Sequence, residues 1–300
     1  MKALGVGELL WDFLPMGPRL GGAPFNVIAH LAKLGCDVGY FTAVGEDELG
    51  MRALDEACRL QVDPAFIQKV ALPTGTVRVH LEGDGVPEYE IASPAAYEAL
   101  SPVELEGRFR EFEILVFGTL AQRSPGTASI TRSLAAMRPE AMRLYDLNFR
   151  RGCWTLPLVE ELMTLATVVK MNEKEASILA DLMSLDPDST ESLSRSLAER
   201  FGLNGVCVTR GPRGAVLLTN GTYCEAMALP VEVVDTVGAG DALSAGLAFG
   251  IASGWPPEQV LDLGMRLAAL VAARRGAIPD WSPAELGIAI VPGSPRSAFA

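Results

Sequence analysis

The sequence predicts an α/β fold in three layers, a mainly parallel sheet with helices on both faces, and a small β-sheet set apart from it. Three observations carry this. Short apolar runs alternate with helical patterns along nearly the whole 300-residue chain. Hydrophobic residues make up 49% of it against 21% charged, ample apolar material for a core. Two stretches break the rhythm with strand-like patterns that have no helix between them.

Strands are predicted over 3–6, 38–44, 114–117, 143–147, 167–170, 206–209 and 215–218, and helices near 25–34, 47–58, 126–137, 156–164, 173–181 and 190–201. In such a sheet ligands sit beyond the carboxyl ends of the strands. The exceptions are 11–16, 76–82 and 88–91. Thr76, Arg78 and His80 alternate there with Val77, Val79 and Leu81, the period of a sheet covered on one face. These pieces are expected to form a β lid over 11–23 and 73–94, projecting from a main domain of 1–10, 24–72 and 95–300. Extra strands on one edge of the main sheet are the alternative. The tail 291–300, rich in Pro, Ser and Ala, is expected to be peripheral.

A formal charge of −12 argues against a nucleic-acid partner, which needs clustered Lys and Arg, and leaves nucleotides open. Cys36, Cys58, Cys153, Cys207 and Cys224 are odd in number and form no C-x-x-C pair, as free thiols in a reducing compartment would be. Glu8 and Asp12 interrupt any signal-peptide core, and no apolar run approaches the length of a membrane span. The expected location is the cytoplasm.

The strongest chemical signal is Asp235-Thr236-Val237-Gly238-Ala239-Gly240-Asp241, after a strand-like run at 231–234 and before a helical face of Leu243, Leu247 and Ile251. Small residues at 238–240 let the backbone approach a phosphate, and a helix start offers unpaired N–H groups to anionic oxygens. Asp241 falls in that first turn, where a carboxylate can take the proton of an attacking hydroxyl. A plain helix cap after a glycine turn explains G-x-G-D about equally well. The third glycine of a dinucleotide fingerprint would fall at Leu243, and no Walker A loop occurs. Near the other end, Gly21-Gly22-Ala23-Pro24-Phe25-Asn26 runs into a helix. Asn26 gains nothing inside a helix, yet offers a donor and an acceptor to a sugar.

Taken together, the C-terminal D-T-x-G-A-G-D and N-terminal G-G-x-x-x-N signatures resemble those of the ribokinase (PfkB-type) carbohydrate kinases, on the fructokinase-like branch. Landmarks between them match too: Val44 to Gly50, Thr74-Gly75-Thr76, Asp146-Leu147-Asn148-Phe149-Arg150 with Trp154, Asn172-Glu173-Lys174-Glu175, and Thr209 to Gly214. The likeness spans roughly residues 5–280. It implies a ribokinase-like fold and ATP-dependent phosphorylation of a sugar hydroxyl. Asp12, Gly22 and Asn26 would hold sugar hydroxyls, Asp241 would be the base, and the amides of Gly238, Ala239, Gly240 and Asp241 would form the anion hole. Asn172 and Glu175 would organise Mg²⁺ through water, and Thr209, Gly211 and Gly214 would line the nucleotide. The resemblance also implies a monovalent cation such as K⁺ near Asp235 and Val237.

Asp146, Asn148 and Arg150 alternate at a strand end and are expected to share one face toward the ligand, with Arg150 the leading cation for a phosphate or carboxylate. Arg123 is a weaker second. His30 and His80 fall in no motif and are expected to be structural. Met265 stands where many of these kinases carry an Asn near the adenine, which puts base selectivity in doubt. Fructose leads as the acceptor, and 2-keto-3-deoxygluconate is the nearest rival. A sugar-binding regulator on the kinase fold is the alternative from another class. A homodimer is expected through the exposed lid face.

Overall fold

The computed structural model describes residues 1–14, 17–81, 87–102, 110–185 and 188–287. Numbered in chain order, nine strands form the main sheet: β1 (Lys2–Val6), β4 (Asp37–Gly45), β5 (Ile67–Val70), β8 (Ile114–Gly118), β9 (Met142–Asp146), β10 (Val168–Asn172), β11 (Gly205–Thr209), β12 (Ala215–Thr219) and β13 (Thr222–Ala226). Their order is β13-β12-β11-β10-β9-β8-β1-β4-β5. Pairing is parallel from β5 through β11 and antiparallel only at the β11-β12-β13 edge.

Parallel strands read as continuous apolar runs because both faces are covered. β8 shows this: Ile114 and Val116 pack on one side, Leu115 and Phe117 on the other. The first side receives α1 (Ala23–Lys33), α2 (Glu48–Arg59), α7 (Ala239–Ala252) and α8 (Pro257–Ala272) through residues such as Ile28, Ala53, Leu247 and Leu267. The second receives α3 (Pro125–Met137), α4 (Leu156–Leu165), α5 (Glu173–Leu182) and α6 (Thr190–Phe201) through Ile130, Leu162, Leu179 and Leu197.

The stretches that broke the rhythm form a separate sheet rather than extra edge strands. β2 (Leu10–Leu14), β3 (Gly17–Gly21), β6 (Gly75–Leu81) and β7 (Pro87–Ile91) lie in the order β3-β2-β6-β7. β3 was not foreseen, because Gly-Pro-Arg-Leu-Gly has no strand signature of its own and extends only by pairing with β2. The ends predicted at Met16 and Glu82, the side chain of His80, and the tail 291–300 lie outside the described residues. The indole N–H of Trp11 donates to the Leu49 carbonyl at 3.0 Å, and Arg52 lies 4.8 Å over its ring, so this sheet is tied to α2.

Two expectations fail. The run 231–234 is not a strand: Val231, Val233 and Val234 are exposed, and the N–H groups of Val234 and Asp235 bond instead to the Ala272 carbonyl at the end of α8. A β-branched run needs a ladder partner, and here it meets a helix end instead. The alternation through Asp146, Asn148 and Arg150 also stops, because β9 ends at Asp146 and Asn148 takes a left-handed φ of 43°. Asn tolerates that region better than most residues, and it turns the chain away from the strand.

Candidate functional site

Two helix N-termini meet beyond the carboxyl ends of the strands. α1 begins at Gly22, whose φ is 129° and whose missing Cβ would lie 2.2 Å from the Glu8 carbonyl oxygen. Only glycine fits there, and Pro24 suits the first turn as predicted. α7 begins at Gly238, with φ 78° and no room for a Cβ, which would stand 2.4 Å from the Ala277 Cα. Ala242 is the residue that closes α7 onto Gly238, at 2.8 Å. The amides of Gly240 and Asp241 before it therefore point out of the helix end.

Asn26 and Asp241, 215 residues apart, are brought into contact: the Asn26 Nδ2 donates to Asp241 Oδ2 at 2.7 Å. The Asn26 Oδ1 is buried and has no partner among the described residues. Across the pocket, Asp12 on β2 turns its Oδ2 toward Gly21; a Cβ on that glycine would lie 3.1 Å from it and 3.8 Å from the Asn26 oxygen. Two acceptor oxygens thus flank one small space, as hydroxyl donors require.

Asp241 keeps part of its surface open to the pocket, yet its carboxyl group is walled by protein. That desolvation, with the Asp146 charge beside it, pushes its pKa up to about 7, against the pull of Lys170, Asn26 and Arg150. Burial likewise lifts Asp12 to about 6 and raises Glu8, with Arg150 opposing both. Arg150 itself is exposed, and its charge serves three carboxyl groups at once. The weaker cationic candidate, Arg123, is committed elsewhere, to Glu98 at 3.1 Å and to the Leu120 carbonyl.

Asp146 is only 1% exposed, and its carboxylate is already occupied. It accepts from Lys170 Nζ at 3.0 and 3.2 Å and from Ser244 Oγ at 2.8 Å. Lys170 and Ser244 are candidate site residues that sequence reasoning missed. A Cβ on Gly240 would lie 3.1 Å from Lys170 Nζ, so this ammonium forms the floor of the α7 turn. Burial alone would strip its proton, but Asp146, and less so Asp241 and Glu175, hold its pKa above the ordinary range. Glu8 was missed too. Its Oε1 takes the Ala23 N–H at 3.1 Å, capping α1 from outside the helix.

Asn172 and Glu175 form a capping box at the start of α5: the Glu175 N–H donates to Asn172 Oδ1 at 3.0 Å and the Asn172 N–H to Glu175 Oε2 at 2.8 Å. Phe149 donates its N–H to the other Glu175 oxygen at 2.8 Å. The exposed Asn172 and the spare lone pairs of Glu175 suit a Mg²⁺ ion that keeps its waters. No group of three or more His, Cys, Asp or Glu able to hold a metal directly exists among the described residues. Asp235 takes N–H groups from Val237 at 3.0 Å and Gly276 at 2.9 Å, tying the turn to the 276 segment. His30 also serves that segment. The Trp281 indole can only donate, to Nδ1 at 3.1 Å, so His30 Nε2 carries the proton and donates to the Ala277 carbonyl at 2.9 Å. Burial lowers its pKa to about 4, so it is neutral at pH 7, a structural residue as expected.

A second crevice, of about 540 Å³, opens on the far side of the α7 turn. Thr209, Gly211 and Gly214 line it with Ala239 and Gly240, and Met265 stands in its largely apolar wall. It suits a flat apolar ring with phosphates directed at the helix start.

Gly238→Ala tests this architecture. Both the positive φ and the contact with Ala277 oppose a side chain, so the variant is expected to lose about 1–3 kcal/mol in urea unfolding and to lose turnover. Wild-type stability together with wild-type turnover would show that the turn is not constrained as described.

Comparisons with known proteins place the chain in a family. Residues 16–284 match the model of the pfkB family carbohydrate kinases. A fructokinase of Klebsiella pneumoniae is 30% identical over 292 residues, covering 91% of this chain and 94% of that one. A 5-dehydro-2-deoxygluconokinase of Clostridium botulinum is 23% identical over 282 residues, 87% and 80% of the two chains. The crystal structure of a fructokinase from Xylella fastidiosa with bound ATP superposes with a TM-score of 0.80 at 22% identity, over 93% of each chain, a likeness of fold. No helix among the described residues is long and apolar enough to cross a membrane. With its two signatures folded into one cleft and its length matched nearly throughout, the chain belongs to the pfkB family of carbohydrate kinases, phosphotransferases that act on a sugar hydroxyl.

Proposed function

We propose that this kinase phosphorylates a neutral sugar, with fructose the leading acceptor, and that Asp241 is its base. The observation that carries the reading is the Asn26–Asp241 pair. A carboxyl group with a pKa of about 7 is held at 2.7 Å by an amide whose oxygen is buried without a partner among the described residues, 3.8 Å from where a Cβ on Gly21 would stand. Such a group is ionised enough to accept a hydroxyl proton and basic enough to draw it. The amides at 238–241 and the Lys170 ammonium below them would meet the charge that develops on the transferring group. ATP would lie in the crevice lined by Thr209, Gly211, Gly214 and Met265. Mg²⁺, held through water by Asn172 and Glu175, would neutralise charge on the phosphates. K⁺ near Asp235 and Val237 remains part of the same reading. The second sheet would act as a lid that carries Asp12 onto the sugar and excludes water, which competes as acceptor.

A neutral acceptor is favoured by the charge balance. Glu8 and Asp12 feel Arg150, and Asp241 feels it after Lys170, so a substrate carboxylate would compete with three protein carboxyl groups for that guanidinium. ATP consumption across neutral sugars, sugar acids and nucleosides tests the reading, and Arg150→Met sharpens it. The variant is expected to lose turnover on every accepted sugar, because Arg150 supports the ionised form of Asp241. If only the KM for 2-keto-3-deoxygluconate or a related sugar acid rises, the arginine serves a substrate carboxylate and fructose is displaced.

A further inference from the structure

Away from the crevice beside α7, and meeting the acceptor pocket only at Asp12, lies a further crevice of about 600 Å³, between the β2–β3 hairpin, α2 and the segment 274–280. Six of the chain's 25 basic side chains line it, against the three carboxylates Asp12, Glu56 and Asp280, in a protein whose net charge is −12. Three of the six are neutralised locally. Arg59 pairs with Glu56 at 2.9 Å, Lys33 with Asp280 at 3.5 Å, and Arg274 with Glu285. The other three are not. Arg52 rests on the Trp11 ring, and Arg19 and Arg275 form no ion pair among the described residues. Arg19 stands opposite Asp12 in the β2–β3 register, and its Nη1 would lie 3.3 Å from a Cβ on Gly276, the residue next to Arg275. Three uncompensated guanidinium groups from three different elements thus line one concave space.

We propose that this crevice binds a phosphorylated metabolite of sugar-phosphate size, at a site apart from the nucleotide crevice and the acceptor pocket. Its volume falls in the range of small-molecule sites, far below what a nucleic acid needs. Guanidinium forks match phosphate oxygens two at a time, and a concave cationic patch concentrates anions locally even on an acidic protein. Asp12 marks the boundary with the acceptor pocket. The occupant would bear on the signature turn, because Gly276 is bonded to Asp235 and Ala277 packs under Gly238.

The test is calorimetric titration of fructose 1,6-bisphosphate into the full chain with saturating ADP already present. Binding is expected, weakening as salt rises. It should fall by at least about tenfold when Arg19 and Arg275 are both replaced by Met, and stay unchanged in Asn26→Ala. Both arginines are exposed, so the double variant should keep its circular dichroism and melting temperature. Three results would overturn the proposal: no binding at several millimolar ligand, binding abolished by ADP, or binding lost in Asn26→Ala and kept in the arginine variant. A failure of the kinase reading would appear separately, as absent ATP consumption, and would leave this binding untouched.

Discussion

Replacing Asp241 with Asn is expected to keep the fold and lower kcat by about 10²–10⁴-fold, the usual contribution of a positioned base. The pH dependence gives a second readout. With a pKa near 7, the wild-type base loses activity as pH falls through 7, so kcat/KM should show an acid limb there that the Asn variant lacks. Stability should move the other way. A carboxyl group whose pKa is raised on folding costs stability as pH climbs from its unfolded value toward 7, and the full cost remains above 7. The Asn variant should therefore be at least as stable as wild type at pH 8. Turnover above half of wild type, with chemistry rate-limiting, would reduce Asp241 to a helix-cap residue.

Lys170→Met should have the next largest effect, and it should act on both fold and chemistry. It leaves Asp146 buried with Ser244 as its one remaining side-chain donor among the described residues, a loss of about 3–5 kcal/mol when one partner of a buried pair is removed. It also removes the stronger of the two cations that hold down the Asp241 pKa, so the acid limb should shift above pH 7. Removing Asp146 as well, in a Lys170→Met/Asp146→Asn pair, should return most of the stability, since the uncompensated charge is gone. Turnover should not return with it, remaining roughly 10²–10³-fold down, because the floor of the anion hole would still lack its positive charge. A double variant that regained both would show that Lys170 serves the fold alone.

Lys170 also shows why part of the site could not be read in advance. In sequence it is a lysine near the end of an apolar strand, outside the Asn172–Glu175 motif that follows it. Its importance comes from Asp146 on the neighbouring strand and Ser244 on α7, and neither spacing marks a pair. Arg150 was legible as a strand-end cation, but its sharing among Glu8, Asp12 and Asp241 was not, since electrostatic balance sums over side chains from separate segments. β3, β5 and β13 went unseen for a related reason: edge strands need only one partner and carry weak patterns of their own.

By itself the sequence determined what is local. Periodicities of two and 3.6 set the strands and helices, continuous apolar runs required helices on both faces, and Gly238 and Gly22 marked the sharp entries of α7 and α1. Tertiary structure alone decided the rest. It closed Asn26 onto Asp241 across 215 residues, buried Asp146 under Lys170, and left 231–234 exposed, with Val231 and Val233 lining the crevice beside α7. Backbone preference depends on a residue and its near neighbours. A carboxyl group's pKa and a cation's role depend on every charge and every wall around them, and those are assembled only when the chain folds.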